Sequence, residues 1–291
     1  MASSTPLGPP LLGGRGGFQT RGYRDSCLRR IFDESLSKGQ RSRWHRVLCA
    51  PDSLKHIMKA AMRAMVMLPT YNEKVNIERM VGEILKHDGV SVVVVDDSSP
   101  DGTGEIADRL AAENKGRIHV IHRKERGRGT AGIAGLKYAR EQEVDCVFEM
   151  DADFSHNPRD IPRFLDRIGD FDVVIGSRLV KQSKSVRSPV RRIIGNGANL
   201  YASLFMGWHI RDWCGGYKCY RRAALRGLDF DRFRSKGYSI GMETLYRLGK
   251  NGCTFVEIPI EFTDQRQGKS KFSLREITGY AANVLWLRLG G

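Results

Sequence analysis

The sequence predicts an α/β protein with a mainly parallel sheet flanked by helices, on three observations. Short apolar, β-prone runs alternate with amphipathic stretches of ten to fifteen residues, the pattern of right-handed βαβ units. The acidic residues Glu73, Asp96, Asp97, Asp151 and Asp153 gather just after the strand-like runs. The composition, 41% hydrophobic and 28% charged over 291 residues, suits a soluble globular protein with ample core, as one large domain or two small ones. In open α/β sheets, ligands bind in the crevice beyond the carboxyl ends of the strands. The acids therefore predict a site as well as a fold.

The first fifty-seven residues lie outside that pattern. They are rich in Arg, Ser, Gly and Pro without sustained periodicity, which predicts a disordered basic extension over 1–60 ahead of a folded domain spanning 61–291. A transit-like tail, a basic membrane-facing arm, and a leader before a later start at Met58, Met62 or Met65 all agree with this composition. Residues 1–64 carry twelve Lys/Arg against four Asp/Glu, so +8 of the net +15 resides there. Basic proteins meet nucleic acid, anionic membranes or phosphorylated small molecules, and charge alone does not choose among them.

The elements follow in order. A buried strand over 64–69 leads to a helix over 74–87 capped by Thr70 or Asn72, with Val75, Ile77, Met80, Val81, Ile84 and Leu85 on one face. A strand over 90–95 ends in Asp96 and Asp97, and a helix over 104–114 precedes a strand over 118–121. Gly127, Gly129 and Gly132 match neither GxGxxG nor a P-loop, and are expected to let a helix over 131–141 start close beside a nucleotide. Arg123, Lys124, Arg126 and Arg128 on that loop read as a solvated rim as readily as a functional one. After the strand containing Val144, Cys146, Val147, Phe148 and Met150 come a helix over 160–168 and a strand over 172–175 that runs into Gly176, Ser177 and Arg178.

The second half is less regular. A basic loop over 181–192 leads to an amphipathic helix over 193–208. A Gly215-Gly216 turn introduces a short strand, and a helix follows that contains Glu243. One strand is expected over 254–262, near a sheet edge because of Pro259. A polar basic loop precedes a final amphipathic helix over 274–289, suited to docking on the core and, through its apolar end, to lying on a surface. No run of 18 apolar residues and no signal peptide is visible. The six cysteines show no CxxC pair or metal-ligand spacing and read as reduced thiols of a cytosolic protein.

Chemistry concentrates in 150–158, MDADFSHNP. A strand interior does not hold carboxylates cheaply, so Asp151 and Asp153 belong where the strand runs out, both directed into one crevice. Paired carboxylates form a hard-oxygen site for Mg²⁺ or Mn²⁺ carrying a diphosphate. A DAD triplet alone is common. Together with the acids after the other strands it points to a nucleotide-diphosphate site.

PTYNE (69–73), VVVDDSSPDGT (93–103), MDADFSHNP, IGSR (175–178), RRIIGNGAN (191–199) and FTDQRQGKSK (262–271) follow one another in a set order. In that order and spacing the chain resembles the polyprenol-phosphate mannose synthases, also called dolichol-phosphate mannosyltransferases, over about residues 64–289. These are inverting family 2 glycosyltransferases with a GT-A fold. The resemblance implies transfer of mannose from GDP-mannose to a polyprenyl monophosphate, with Mg²⁺ or Mn²⁺ as cofactor. It implies that Pro69, Tyr71, Glu73, Asp96, Asp97, Ala152 and Lys271 meet the donor nucleotide, with Arg266 and Lys269 beside Lys271 on a closing loop. It further implies that Asp151 and Asp153 bind the metal, and that Ser177, Arg178 and Arg191 meet the acceptor phosphate, making Asp153, Arg178 and Arg191 the catalytic set. Peripheral contact with the cytoplasmic face of a membrane follows from the lipid acceptor, with room for an integral-membrane anchoring subunit. Two departures stand out: Ser155 where some such enzymes carry Gln as a metal ligand, and Gly215 where a Ser-Gly pair is common.

A polyprenyl monophosphate is ionised at neutral pH, so the expected mechanism needs no general base. Its demands are a grip on the acceptor anion, for which arginine forks are suited, and stabilisation of the departing GDP. The alternatives are a sister enzyme using UDP-glucose and, from a different class, a basic nucleic-acid-binding module. Against the latter, the densest basic loop, 181–192, has no aromatic residue for base stacking.

Overall fold

Alternation within the strands decides the layering. In β1 (Ala64–Thr70), Met65 and Met67 face one side of the sheet while Ala64, Val66 and Leu68 face the other. In β2 (Val90–Asp96), Val93 and Val95 join the first set, and Val92 and Val94 the second. A sheet buried on both faces reads as the near-continuous apolar run seen here, and requires helices on both sides. The computed structural model, which describes residues 62–207, 210–235, 237, 239–264 and 274–290, has that architecture. The expected basic extension over 1–60 lies outside the described residues, as do Arg266, Lys269 and Lys271.

On one face lie α1 (Ile77–Leu85), α2 (Thr103–Glu113) and α4 (Ile161–Ile168), which contribute Ile77, Met80, Ile84, Leu110 and Phe164 to their core. On the other lie α3 (Arg128–Glu141), α5 (Pro189–Met206), α7 (Ser239–Lys250) and α8 (Leu274–Arg288). The remaining strands are β3 (Ile118–His122), β4 (Cys146–Glu149), β5 (Val173–Ser177), β7 (Lys218–Arg221) and β8 (Phe255–Pro259); a short α6 (Arg222–Arg226) follows β7. The sheet order is β3-β2-β1-β4-β7-β5-β8. All pairings are parallel except those of β7, which runs antiparallel to both β4 and β5.

Several boundaries differ from expectation, each for a local reason. Helix α1 starts at Ile77 because the backbone N–H groups of Asn72, Glu73 and Lys74 are already engaged. They donate to Ser99 Oγ, Thr103 Oγ1 and Asp101 Oδ2 at 2.9–3.0 Å, so PTYNE is laced to DDSSPDGT. Neither Thr70 nor Asn72 caps it: Thr70 completes β1, and Asn72 has φ 61°. Helix α3 begins at Arg128, and its glycines serve protein packing. A Cβ on Gly129 would lie 2.3 Å from the Gly237 carbonyl oxygen, and one on Gly135 would lie 2.2 Å from Met67 Cγ. Helix α5 begins at Pro189, with Ser188 accepting from the Arg191 N–H as N-cap. The single strand expected over 254–262 is two. β8 forms the sheet edge, and after Ile260 the strand β9 (Glu261–Thr263) leaves to pair in parallel with β6 (Lys184–Val186).

Candidate active site

The carboxyl ends of β1, β2 and β4 lie side by side, since Thr70 pairs with Asp96 and Met67 with both Val93 and Glu149. This brings PTYNE, the Asp96-Asp97 pair and the DAD triplet to one rim of the sheet. The loops leaving these strands each hold a non-glycine residue in left-handed backbone: Asn72 (φ 61°), Ser98 (φ 51°) and Phe154 (φ 57°). Such conformations persist where the surroundings over-determine them, and cluster at functional sites.

Asp96 and Asp97 are both buried. Asp96 accepts from Thr70 Oγ1 and from the Ser99 backbone N–H and hydroxyl, fixing the turn. Asp97 accepts from Arg123 at 2.7 Å and from the Gly127 N–H at 2.8 Å. Burial raises its carboxyl above the usual range despite both donors. Pro69, Tyr71 and Glu73 are half-buried nearby, with the Arg126 guanidinium 4.6 Å from the centre of the Tyr71 ring and Glu73 accepting from Asn76 Nδ2. Ala152 is buried. The Arg123–Arg128 loop is thus no simple solvated rim.

Asp151 and Asp153 sit beyond β4. Arg128, at the first turn of α3, forms an ion pair with Asp151 through both Nε and Nη2. Asp153 Oδ1 accepts from the Ser155 N–H. His156 is buried against Tyr217 and accepts the Asp151 N–H on Nδ1 at 3.1 Å. Burial, opposed by the two aspartates, lowers its pKa to about 4, so the ring is neutral at pH 7 with its proton on Nε2. Gly216 leaves the room this cluster needs: a Cβ there would approach His156, Arg128 and Asp151 to within 2.9–3.3 Å.

The acids line a cavity of about 500 Å³ that Arg178 and Arg191 line as well. Arg178, just past β5, is clamped by Asp212, which is fully buried. Its backbone N–H, Nε and Nη2 all donate to that carboxylate at 2.7–2.9 Å. Burial alone would raise Asp212, but the guanidinium outweighs it and holds the carboxyl below its ordinary value. Asn199 of α5 also donates to Asp212 and accepts the Cys214 N–H. Arg191 pairs with Asp264, which follows β9. Ser177 is buried, and its hydroxyl accepts the Leu179 N–H. The cavity continues along an apolar wall from α5 and α8 that includes Ile194, Tyr201, Ile277 and Ala281.

One cavity therefore joins Asp151, Asp153, Arg178 and Arg191, whereas Pro69, Tyr71, Glu73, Asp96 and Asp97 form the neighbouring rim. His156, Asp212 and Asp264 were not singled out from sequence, and Arg128 stood only among the cations of an ambiguous loop. For His156 a signal existed, because it stands five residues after Asp151 in a turn that folds back on the acid pair. Among the described residues no group of three or more His, Cys, Asp or Glu side chains could hold a metal. The donors present are two carboxylates and Ser155 Oγ, a buried hydroxyl with no hydrogen-bond partner. That hard-oxygen set fits a divalent cation that takes further oxygens from a diphosphate.

A family model described as "Glycosyl transferase family 2" matches residues 65–228. The chain belongs to glycosyltransferase family 2. It is 41% identical over 217 residues to an undecaprenyl-phosphate mannosyltransferase of Micrococcus luteus, covering 73% of this chain and 88% of that one. It is 39% identical over 222 residues to a polyprenol monophosphomannose synthase of Mycolicibacterium smegmatis, covering 74% and 83%. A dolichol-phosphate mannosyltransferase of Pyrococcus furiosus is 34% identical over 231 residues, 77% of this chain and 63% of that one. The family resemblance carried by the motifs is thus borne out. Among solved structures, mannosyl-3-phosphoglycerate synthase from Rubrobacter xylanophilus shares the fold with a TM-score of 0.57 at 17% identity, covering 91% of this chain and 84% of that one. Glucosyl-3-phosphoglycerate synthase from Mycobacterium tuberculosis, in complex with Mn²⁺, UDP and glucosyl-3-phosphoglycerate, gives 0.55 at 23%, covering 80% and 81%. The GT-A architecture agrees with the expectation.

Proposed function

We propose that this protein transfers mannose from GDP-mannose to a polyprenyl monophosphate, inverting the anomeric centre. The observation that carries this reading is one cavity lined together by the acid pair, by Arg178 and Arg191, and by apolar residues of α5 and α8. A nucleotide-sugar diphosphate and an amphiphilic phosphate have complementary places there, and the curated relatives bear names of this activity.

Asp151 and Asp153, with Ser155 Oγ, would hold Mg²⁺ or Mn²⁺, which would supply Lewis-acid stabilisation of the departing diphosphate. Asp97 holds the Gly127 N–H and Arg123, which keeps the glycine loop against the donor rim. Pro69, Tyr71, Glu73 and Asp96, with the buried Ala152, shape the nucleotide pocket, and Lys271, outside the described residues, is assigned to the donor by the family resemblance alone. Arg178 and Arg191, with Ser177 behind them, orient the acceptor phosphate toward the sugar. Because the acceptor is already ionised, no residue has to remove a proton. The neutral His156 anchors the Asp151 backbone and is not used as a base.

The acceptor's lipid tail calls for a membrane surface. No helix among the described residues is long and apolar enough to cross a membrane. Helix α5, however, exposes Val190, Ile193, Leu200 and Leu204, each more than 60% accessible, at helical spacing. Lys181, Lys184 and Arg187 precede it, Arg191 and Arg192 lie in its first turn, and the exposed Leu289 follows α8. An apolar stripe flanked by cations suits the interface of an anionic leaflet, consistent with peripheral attachment at the cytoplasmic face. Incubation with a polyprenyl phosphate and either GDP-mannose or UDP-glucose tests the proposal. Mannosyl lipid formed only from GDP-mannose and a divalent metal is the expected result; glucosyl lipid from UDP-glucose alone would replace the donor assignment.

A further inference from the structure

The arginines of the acceptor wall are not alike in charge balance. Arg178 is matched by Asp212 and Arg191 by Asp264. Arg187, between β6 and the Ser188 cap of α5, also lines the cavity. Among the described residues no carboxylate comes within 4.0 Å of it, and its Nε is shielded from solvent with no hydrogen-bond partner. Burial, reinforced by Arg178 and Arg192, pushes its pKa below the ordinary arginine value, with Asp212 and Asp264 opposing from farther off. A half-buried guanidinium in this condition is unfavourable in the empty protein. It becomes favourable once an anion with several acceptor oxygens arrives.

The surroundings specify the anion. Gly195, one turn along α5, lacks the Cβ that would lie 3.1 Å from Arg187 Nη1. The guanidinium therefore lies against bare backbone of α5, the helix that also gives Ile194 and Tyr201 to the cavity lining, to which α8 adds Ile277 and Ala281. The donor acids have their own cation in Arg128. An anion meeting Arg187 thus shares its cavity with apolar side chains of α5 and α8, which suits a phosphate monoester carrying a hydrocarbon tail better than a nucleotide diphosphate.

We propose that Arg187 is the principal seat of the acceptor phosphate, admitted to the cavity by the missing side chain at Gly195, with Arg178 and Arg191 as flanking, already balanced donors. This deepens the acceptor reading given under the proposed function and rests on it.

Calorimetric titration with geranyl phosphate, a short water-soluble prenyl monophosphate, tests the proposal without turnover. Arg187→Gln is expected to weaken binding about ten- to a hundredfold, with Arg187→Lys recovering part of the loss. Gly195→Val, which keeps every arginine but crowds Arg187, is expected to weaken it as well. Lys181→Gln removes the same charge from the same loop at an exposed position and is expected to change binding less than about threefold. GDP binding with Mn²⁺, measured on each variant, is expected to stay at wild type and reports that the protein is folded. Retention of wild-type geranyl phosphate affinity in Arg187→Gln overturns the seat. So does an equal loss of GDP binding, which would put Arg187 on the donor, or an equal loss in Lys181→Gln, which would reduce the effect to loop charge. A wild-type protein that binds GDP and Mn²⁺ but ignores both geranyl phosphate and inorganic phosphate overturns the acceptor reading itself. Binding of inorganic phosphate as tight as geranyl phosphate overturns the role of the apolar wall.

Discussion

On the side proposed for the donor, the charged groups are held by their own turns or by loops one βαβ unit away. Asp96 is fixed by Ser99 three residues on, and the longer ties, from PTYNE to DDSSPDGT and from Asp97 to Gly127, link loops of adjacent βαβ units. The acceptor side is assembled from distant pieces. Arg178 meets Asp212 from 34 residues away, Arg191 meets Asp264 from 73, and β6 pairs with β9. Under the proposed function, the difference separates carboxylates that receive a cation and a nucleotide from guanidiniums, positioned by carboxylates, that receive an anion. It also implies that single substitutions fail differently on the two sides: donor-side changes abolish chemistry with the fold intact, whereas acceptor-side changes disturb structure or one substrate.

The strongest way to break that contrast is Asp153→Asn. The residue is half-exposed at a strand end, so folding is expected to be unaffected, while loss of a hard anionic ligand lowers transfer by about a thousandfold or more. Near-normal turnover in saturating Mg²⁺ or Mn²⁺ would remove the metal assignment.

Next in size is Asp212→Asn, which strips the charge from a fully buried partner of Arg178. Leaving that guanidinium uncompensated is expected to cost roughly 3–5 kcal/mol of stability, read by chemical denaturation. The wild-type carboxyl titrates below its ordinary 3.8, so its contribution is present above that value and disappears only as pH falls through the depressed pKa. The gap between wild type and variant is therefore expected to persist at pH 5. A variant as stable as wild type would mean that the clamp is not structural.

Arg191→Ala sharpens the comparison, since Asp264 keeps some solvent exposure when its partner goes. The expected result is a rise in acceptor KM of about ten- to a hundredfold with GDP affinity little changed. A defect confined to GDP binding would move Arg191 to the donor side. The smallest effect is expected from Leu204→Asp on the exposed stripe of α5. Partition onto vesicles of anionic lipid should fall several-fold, about 1–2 kcal/mol, while turnover of a short soluble acceptor is preserved. Unchanged sedimentation with vesicles would argue against α5 as the membrane face.

The same contrast explains what could be read from sequence. Strands β1, β2 and β4 announce themselves by apolar runs that stop at acids, and the loops of their shared rim follow directly, so that rim was legible as contiguous motifs. Asp212 and Asp264 carried no such signal, because each matters only through an arginine far away in the chain. Helix α5 was expected four residues late, since Ser188 and Pro189 resemble loop composition although they are also a cap and a first-turn proline. The split between β8 and β9 was not legible at all: the pairing of Glu261–Thr263 with Lys184–Val186 is a tertiary choice that local propensity does not encode. Arg128 was ambiguous for a related reason, as its Asp151 partner lies on another strand's loop.

The antiparallel strand β7 has a kinetic consequence. It lies between β4 and β5, which share no hydrogen bonds with each other, so the sheet is continuous only once residues 218–221 have threaded into place. β1 and β2 can zip together around α1, whereas β5 and β8, paired with each other, join the rest of the sheet only through β7, which begins more than forty residues after β5. Closing such long loops is entropically slow. Pulse-labelled hydrogen exchange during refolding is therefore expected to protect the amides of β1 and β2 before those of β5 and β7, so that the nucleotide half of the cavity matures on a different clock from the lipid half.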